Sequence, residues 1–155
     1  MPYPMDRRDL VVPRCIFERA VLIDTSALYA LVDTENNNHP QAVDCLDRIA
    51  QFHFPIWTTN FTLVECHHRI LQRLGIRAGL LFLENIYDGG VTIERALGID
   101  EQQARNYLQR FSDQNISYVD AISFAVMKRL GIGKAFAFDW HFRLLGFVTM
   151  PPFYI

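Results

Sequence analysis

Two four-residue runs, AVLI at positions 20–23 and AFAF at 135–138, contain no polar residue. A strand with one wet face alternates polar and apolar side chains, so a run that is apolar throughout belongs to a strand covered on both faces. That requirement calls for a sheet sandwiched between layers of helices. The rest of the chain supplies them. Helical periodicity is expected over 26–32, 39–52, 60–74, 77–87, 100–111 and 117–130, with Pro40 just inside the second of these and Gly75 and Gly131 as stops. Further short strands are expected at 55–58, 91–94 and 147–150. Strands alternating with helices predict an α/β fold with a central parallel sheet. Residues 1–18 carry Pro2, Pro4 and Pro13 among charges and read as an irregular N-terminal arm, and residues 19–155 read as one folded domain.

In open parallel sheets the ligand site lies beyond the carboxyl ends of the strands. Asp24 follows AVLI directly, and Asp139 follows AFAF directly. Asp120 falls in the first turn of the helix beginning near Ser117, and Glu65 falls early in the helix over 60–74. All four are therefore expected at one edge. Each also has a purely structural reading. Asp24 and Asp139 suit helix N-caps, Ser117 and Asp120 suit a capping box, and Glu65 suits a solvated helix face.

Four carboxylates gathered at a few ångströms raise one another's pKa and resist joint ionisation. A divalent cation removes that penalty. Oxygen donors without thiolates or paired histidines favour Mg2+ or Mn2+ over zinc, and such ions catalyse phosphodiester hydrolysis. The net charge is −2, so binding to nucleic acid would depend on local contacts rather than a global basic field. Only Lys128 and Lys134 are lysines, and every other basic residue is arginine, the better bidentate phosphate ligand. The three cysteines, Cys15, Cys45 and Cys66, form no C-x-x-C pair, which points to a reducing, cytoplasmic setting. The N-terminus has no apolar stretch like that of a secretory signal, and no run is long enough to span a bilayer.

The segments VLIDTSALYAL, TLVECHHRILQRLG, SYVDAISFAVM and AFAFDWHFRLLGF resemble, in order and spacing, the four acidic motifs of PIN domains, especially the VapC-like toxin ribonucleases of type II toxin–antitoxin pairs. The likeness runs from about Ala20 to the C-terminus. It implies a three-layer α/β/α PIN-like fold and Mg2+- or Mn2+-dependent hydrolysis of RNA. It implies metal-binding and catalytic roles for Asp24, Glu65, Asp120 and Asp139, with Ser26 as a supporting hydroxyl. It also implies a small antitoxin partner and a homodimer. The arm before Arg19 is longer than the family usually carries.

Arg69 and Arg73 continue the Glu65 face, and Arg143 lies four residues beyond Asp139. These are candidate RNA-backbone contacts, or otherwise solvated charges. Asp113 reads as a structural residue, His67 and His68 as a polar helix surface, and His141 as a possible phosphate contact. Phe52, Phe54, Trp57, Phe61, Phe82, Phe124 and Phe136 read as packing, whereas Tyr29, Tyr118 and Trp140 lie near the acidic edge and could touch a base. Two readings compete with a toxin ribonuclease: a non-catalytic RNA- or protein-binding module, and a solitary RNA-processing nuclease. A phosphatase using Asp24 as nucleophile would carry a second aspartate where Ser26 stands.

Overall fold

A computed structural model describes residues 14–152 of the chain. Five parallel strands form one sheet in the order β3-β2-β1-β4-β5. They are β1 (Val21–Ile23), β2 (Ile56–Thr59), β3 (Thr92–Glu94), β4 (Lys134–Phe136) and β5 (Val148–Met150). The helices are α1 (Arg14–Arg19), α2 (Thr25–Val32), α3 (His39–Gln51), α4 (Asn60–Leu74), α5 (Ile76–Asp88), α6 (Gly98–Arg110) and α7 (Tyr118–Leu130), with a 3-10 helix at Trp140–Leu145. The α/β reading and its layers hold. Ala20 and Leu22 pack into one apolar cluster with α6 and α7, while Val21 and Ile23 pack into the other with α2, α3, α4 and α5. In the other wholly apolar run Ala135 and Ala137 face the first cluster and Phe136 the second. The two runs lack polar positions because neither strand has a wet face.

The structure differs from expectation in three places. Part of the segment expected to be irregular is helical: α1 ends at Arg19, and its Phe17 ring lies 5.5 Å from that of Trp57. Residues 1–13 of the expected arm lie outside the described residues. Strand β4 ends at Phe136 rather than 138, so Asp139 stands three residues beyond it. The backbone instead turns into the 3-10 helix, which Asp139 caps by accepting from His141 N at 2.9 Å. The third difference concerns the aromatic residues: Phe52 is 36% exposed at the end of α3 rather than in the core.

The strand order places the topological switch at β1 and β4. From β1 the chain winds outward through β2 and β3, then returns to the other side of β1 for β4 and β5. Loops leave β1 and β4 in opposite directions, and the crevice between them is the usual ligand site of such sheets.

Candidate active site

The four acids meet at that crevice. A cleft of about 230 Å3 is lined by Asp24, Thr25, Ser26, Glu65, Arg69, Asn115, Ser117, Asp120 and Asp139. Asp24 leaves the end of β1, and Glu65 descends from α4, which begins where β2 ends. Asp120 arrives by a different route from the one its sequence position suggests. Its helix, α7, precedes a strand instead of following one. Only three residues separate the end of α7 at Leu130 from β4 at Lys134, so α7 runs back along the sheet and its first turn lies at the carboxyl edge.

The structural readings of these acids turn out to be compatible with the site. Asp24 caps α2: its Oδ1 accepts from Ala27 N at 3.1 Å and from Ser26 Oγ at 2.7 Å. Ser26 Oγ in turn accepts from Phe138 N at 2.9 Å, which ties the β1 loop to the β4 loop. Ser117 caps α7 by accepting from Asp120 N at 3.1 Å, while the Asp120 side chain lines the cleft. One oxygen each of Asp120 and Asp139 and one ring nitrogen of His141 lie within 4.8 Å of one another.

The electrostatics show the strain of this gathering. Burial pushes the Asp24 carboxyl up from 3.8 to about 7, and the nearby charge of Asp139 adds to it against the hydrogen bonds from Ser26 and Ala27. Asp120 is pushed up to about 8, chiefly by burial, then by the charge of Asp24 and by its contact with Asp139. Hard oxygen donors held this close, two of them resisting ionisation, fit a divalent cation as the group that would make the cluster tolerable.

Sequence reasoning did not single out Thr25, Asn115 or the cleft-facing place of Ser117. Thr25 Oγ1 donates to Glu65 Oε2 at 2.7 Å and so fixes that carboxylate across 40 positions of chain. Its signal was the hydroxyl beside Asp24, but Ser26 two places on drew that attention. Of the three candidate arginines only Arg69 lines the cleft. The Arg73 guanidinium lies over the Tyr29 ring at 5.7 Å, and Arg143 Nε donates to Thr149 Oγ1 at 3.0 Å. Tyr29 is buried and donates to Asp33 Oδ2 at 2.8 Å, so its ring is no platform for a base. His141 Nδ1 stands 2.8 Å from Asp139 Oδ1 without hydrogen-bond alignment, and its side chain is mostly buried, which sets it against Asp139. His68 and Asp113 are exposed.

Comparison with known proteins agrees with this geometry. The model of the PIN domain matches residues 21–148. The chain is 33% identical over 133 residues to the 23S rRNA-specific endonuclease VapC20 of Mycobacterium tuberculosis, covering 85% of this chain and 98% of that protein. It is 25% identical over 109 residues to ribonuclease VapC26 of the same organism, covering 70% of this chain and 78% of the relative. The crystal structure of M. tuberculosis VapC20, described as a Sarcin-Ricin loop cleaving toxin, superposes with a TM-score of 0.76 at 32% identity, covering 83% of this chain and 97% of that one. With its parallel sheet, its acids at the switch point and a family match across most of its length, the chain belongs to the PIN-domain family.

Proposed function

We propose that the protein is a metal-dependent endoribonuclease, the toxin of a toxin–antitoxin pair, with Asp24, Glu65, Asp120 and Asp139 as its catalytic, metal-binding acids. The observation that carries this reading is the convergence of those four carboxylates in one cleft, two of them with pKa values raised to about 7 and about 8. Among the described residues Arg69 is the one arginine or lysine lining that cleft, against four carboxylates. Mg2+ or Mn2+ suits the oxygen donors of the four acids. Bound there, such an ion supplies a nucleophilic water and neutralises charge on the phosphodiester.

The chain's own residues orient and position. Ser26 and Ala27 N hold Asp24, Thr25 holds Glu65, and Ser117 fixes the turn that presents Asp120. Arg69 stands in the cleft wall as a contact for a phosphate oxygen. Hydrolysis by water needs no attack from the ribose 2′-oxygen; with the bond from phosphorus to the 3′-oxygen as the one broken and that oxygen taking up a proton, the products are a 5′-phosphate and a 3′-hydroxyl. The named targets and toxin role of VapC20 support RNA as the substrate and a small antitoxin as a partner. Ile76, Leu80 and Leu81 keep more than half of their surface exposed near the start of α5, the kind of apolar area that a second copy would cover in a homodimer. No helix among the described residues is long and apolar enough to cross a membrane, and a cytoplasmic site of action fits an RNA substrate.

The test is cleavage of single-stranded RNA with Mg2+ or Mn2+, repeated in EDTA and with Asp24→Asn. Cleavage should fall by at least about 100-fold in both, the scale of losing a principal electrostatic element. Cleavage surviving both changes would refute the reading.

A further inference from the structure

Large aromatic side chains in this protein are mostly enclosed: Phe124, Phe136 and Phe142 are fully buried and Phe82 nearly so. Among the described residues two aromatics near the acids stay exposed, Tyr118 at 40% and Trp140, the more exposed of the two. It follows Asp139 directly and leaves 53% of its surface exposed. Exposing an indole is unfavourable unless something covers it, and a tryptophan is among the costliest side chains to leave in water.

The ring is also held in place. It packs on the His141 imidazole with centroids 4.5 Å apart and planes inclined at 40°. The imidazole is mostly enclosed, its side chain only 12% exposed, with Nδ1 2.8 Å from Asp139 Oδ1. A chain of contacts therefore runs from a cleft carboxylate through His141 to one face of Trp140. The order imposed on the indole means that little side-chain freedom is lost when a second flat group stacks on it.

The charge pattern says why such a group is needed. The cleft is lined by four carboxylates and one arginine, and the whole chain carries a net charge of −2. The acids alone repel a polyanion, so contacts that do not depend on charge add to what a bound cation and Arg69 would supply. Base stacking on an exposed aromatic is the principal one, and it tolerates any base because every base has a π-face.

Resting on the ribonuclease reading, we infer that Trp140 is a substrate-binding platform, on which an RNA base beside the scissile phosphate stacks. It acts by binding rather than chemistry, so its loss should raise KM and leave kcat in place.

The experiment uses the full chain with Mn2+ and a single-stranded oligoadenylate, made with phosphorothioate linkages for binding and normal linkages for turnover. Binding should quench tryptophan emission in the wild type, and the quench should vanish in Trp140→Leu, which retains Trp57. Affinity should fall by about 5- to 150-fold in Trp140→Leu, the range for one lost stack, and largely recover in Trp140→Phe. Mn2+ affinity, followed by electron paramagnetic resonance, should stay unchanged in both variants. An unchanged KM and affinity in Trp140→Leu would overturn the inference while leaving the ribonuclease reading intact. So would a parallel loss of Mn2+ affinity, since Trp140 would then be acting through Asp139. A wild type that neither binds nor cleaves the RNA would overturn both.

Discussion

Helix α7 carries a cluster of charges at each end, and the two are built on opposite terms. At its last turn Arg129 donates through Nε to both oxygens of Asp100, at 2.9 and 3.1 Å, and through Nη2 to Asp100 and to Glu94 at 2.9 and 3.0 Å. Asp100 is 2% exposed and also accepts from Leu97 N at 2.8 Å, which closes the start of α6. Every buried charge there has a partner. At the first turn of α7, Asp120 meets Asp24 and Asp139, and among the described residues no arginine or lysine forms an ion pair with them; burial first, and the neighbouring carboxylates after it, raise the pKa values of Asp24 and Asp120. One end of the helix is a structural clamp. The other is a stored electrostatic strain of the sort that functional sites keep at the expense of stability.

The sharpest way to separate the two is by pH. A carboxyl whose pKa is raised in the fold keeps its proton where the unfolded chain has lost it. The cluster's cost to stability is therefore absent below about pH 3.8, grows as pH rises, and is complete for Asp24 above about 7. For Asp24 alone the span corresponds to about 4 kcal/mol. Urea titrations of the metal-free protein should show stability rising as pH is lowered from 8 to 5. Asp24→Asn should remove about half of that slope, the buried Asp120 carboxyl supplying the rest, and saturating Mn2+ should offset the loss at pH 8. A metal-free protein with a flat profile across this range would mean that the acids are better compensated than their burial implies.

The clamp predicts the opposite response to deletion. Arg129→Ala leaves Asp100 buried without its cation and should destabilise the fold by about 3 kcal/mol, the usual cost of breaking such a pair. The loss should show in the urea midpoint, with Mn2+ affinity measured below the transition unaltered. A variant as stable as the wild type would show that Leu97 N and solvent suffice for Asp100.

Much of this architecture was legible in the sequence, for identifiable reasons. The runs at 20–23 and 135–138 gave away strands buried on both faces because positions 20–23 and 135–137 are all enclosed. The end of α4 at Leu74 was legible because Gly75, which adopts φ +92°, could close the helix. What was not legible depended on contacts between distant segments. The helix at Arg14–Arg19 is a short turn beside three prolines in the sequence before it, and Phe17 against Trp57 is a contact that no local pattern announces. The early end of β4 was hidden because Ala137 and Phe138 remain apolar after the ladder stops, with Ala137 N bonded to Met150 O at 3.0 Å. At the site, the acids could be read because a single edge had to receive them. Their hydroxyl partners could not be assigned, since Thr25 and Ser26 are neighbours and only the fold turns one toward Glu65 and the other toward Asp24.

That division between adjacent hydroxyls gives the mildest prediction, and it tests whether the strained end of α7 depends on positioning as well as on charge. Thr25 is 5% exposed, and its Oγ1 holds Glu65 Oε2 at 2.7 Å from the first residue of α2. Valine keeps the branched shape and removes the donor. In Thr25→Val the Glu65 carboxylate loses one restraint and remains in the cleft, so the effect should be about 1 kcal/mol, or roughly fivefold in Mn2+ affinity, with fold stability nearly unchanged. Thr25→Ser keeps the donor and should recover most of the affinity. If valine and serine behave alike, the hydrogen bond is incidental and Glu65 is placed by α4 alone; if valine abolishes metal binding outright, Thr25 is holding more of the site than one carboxylate.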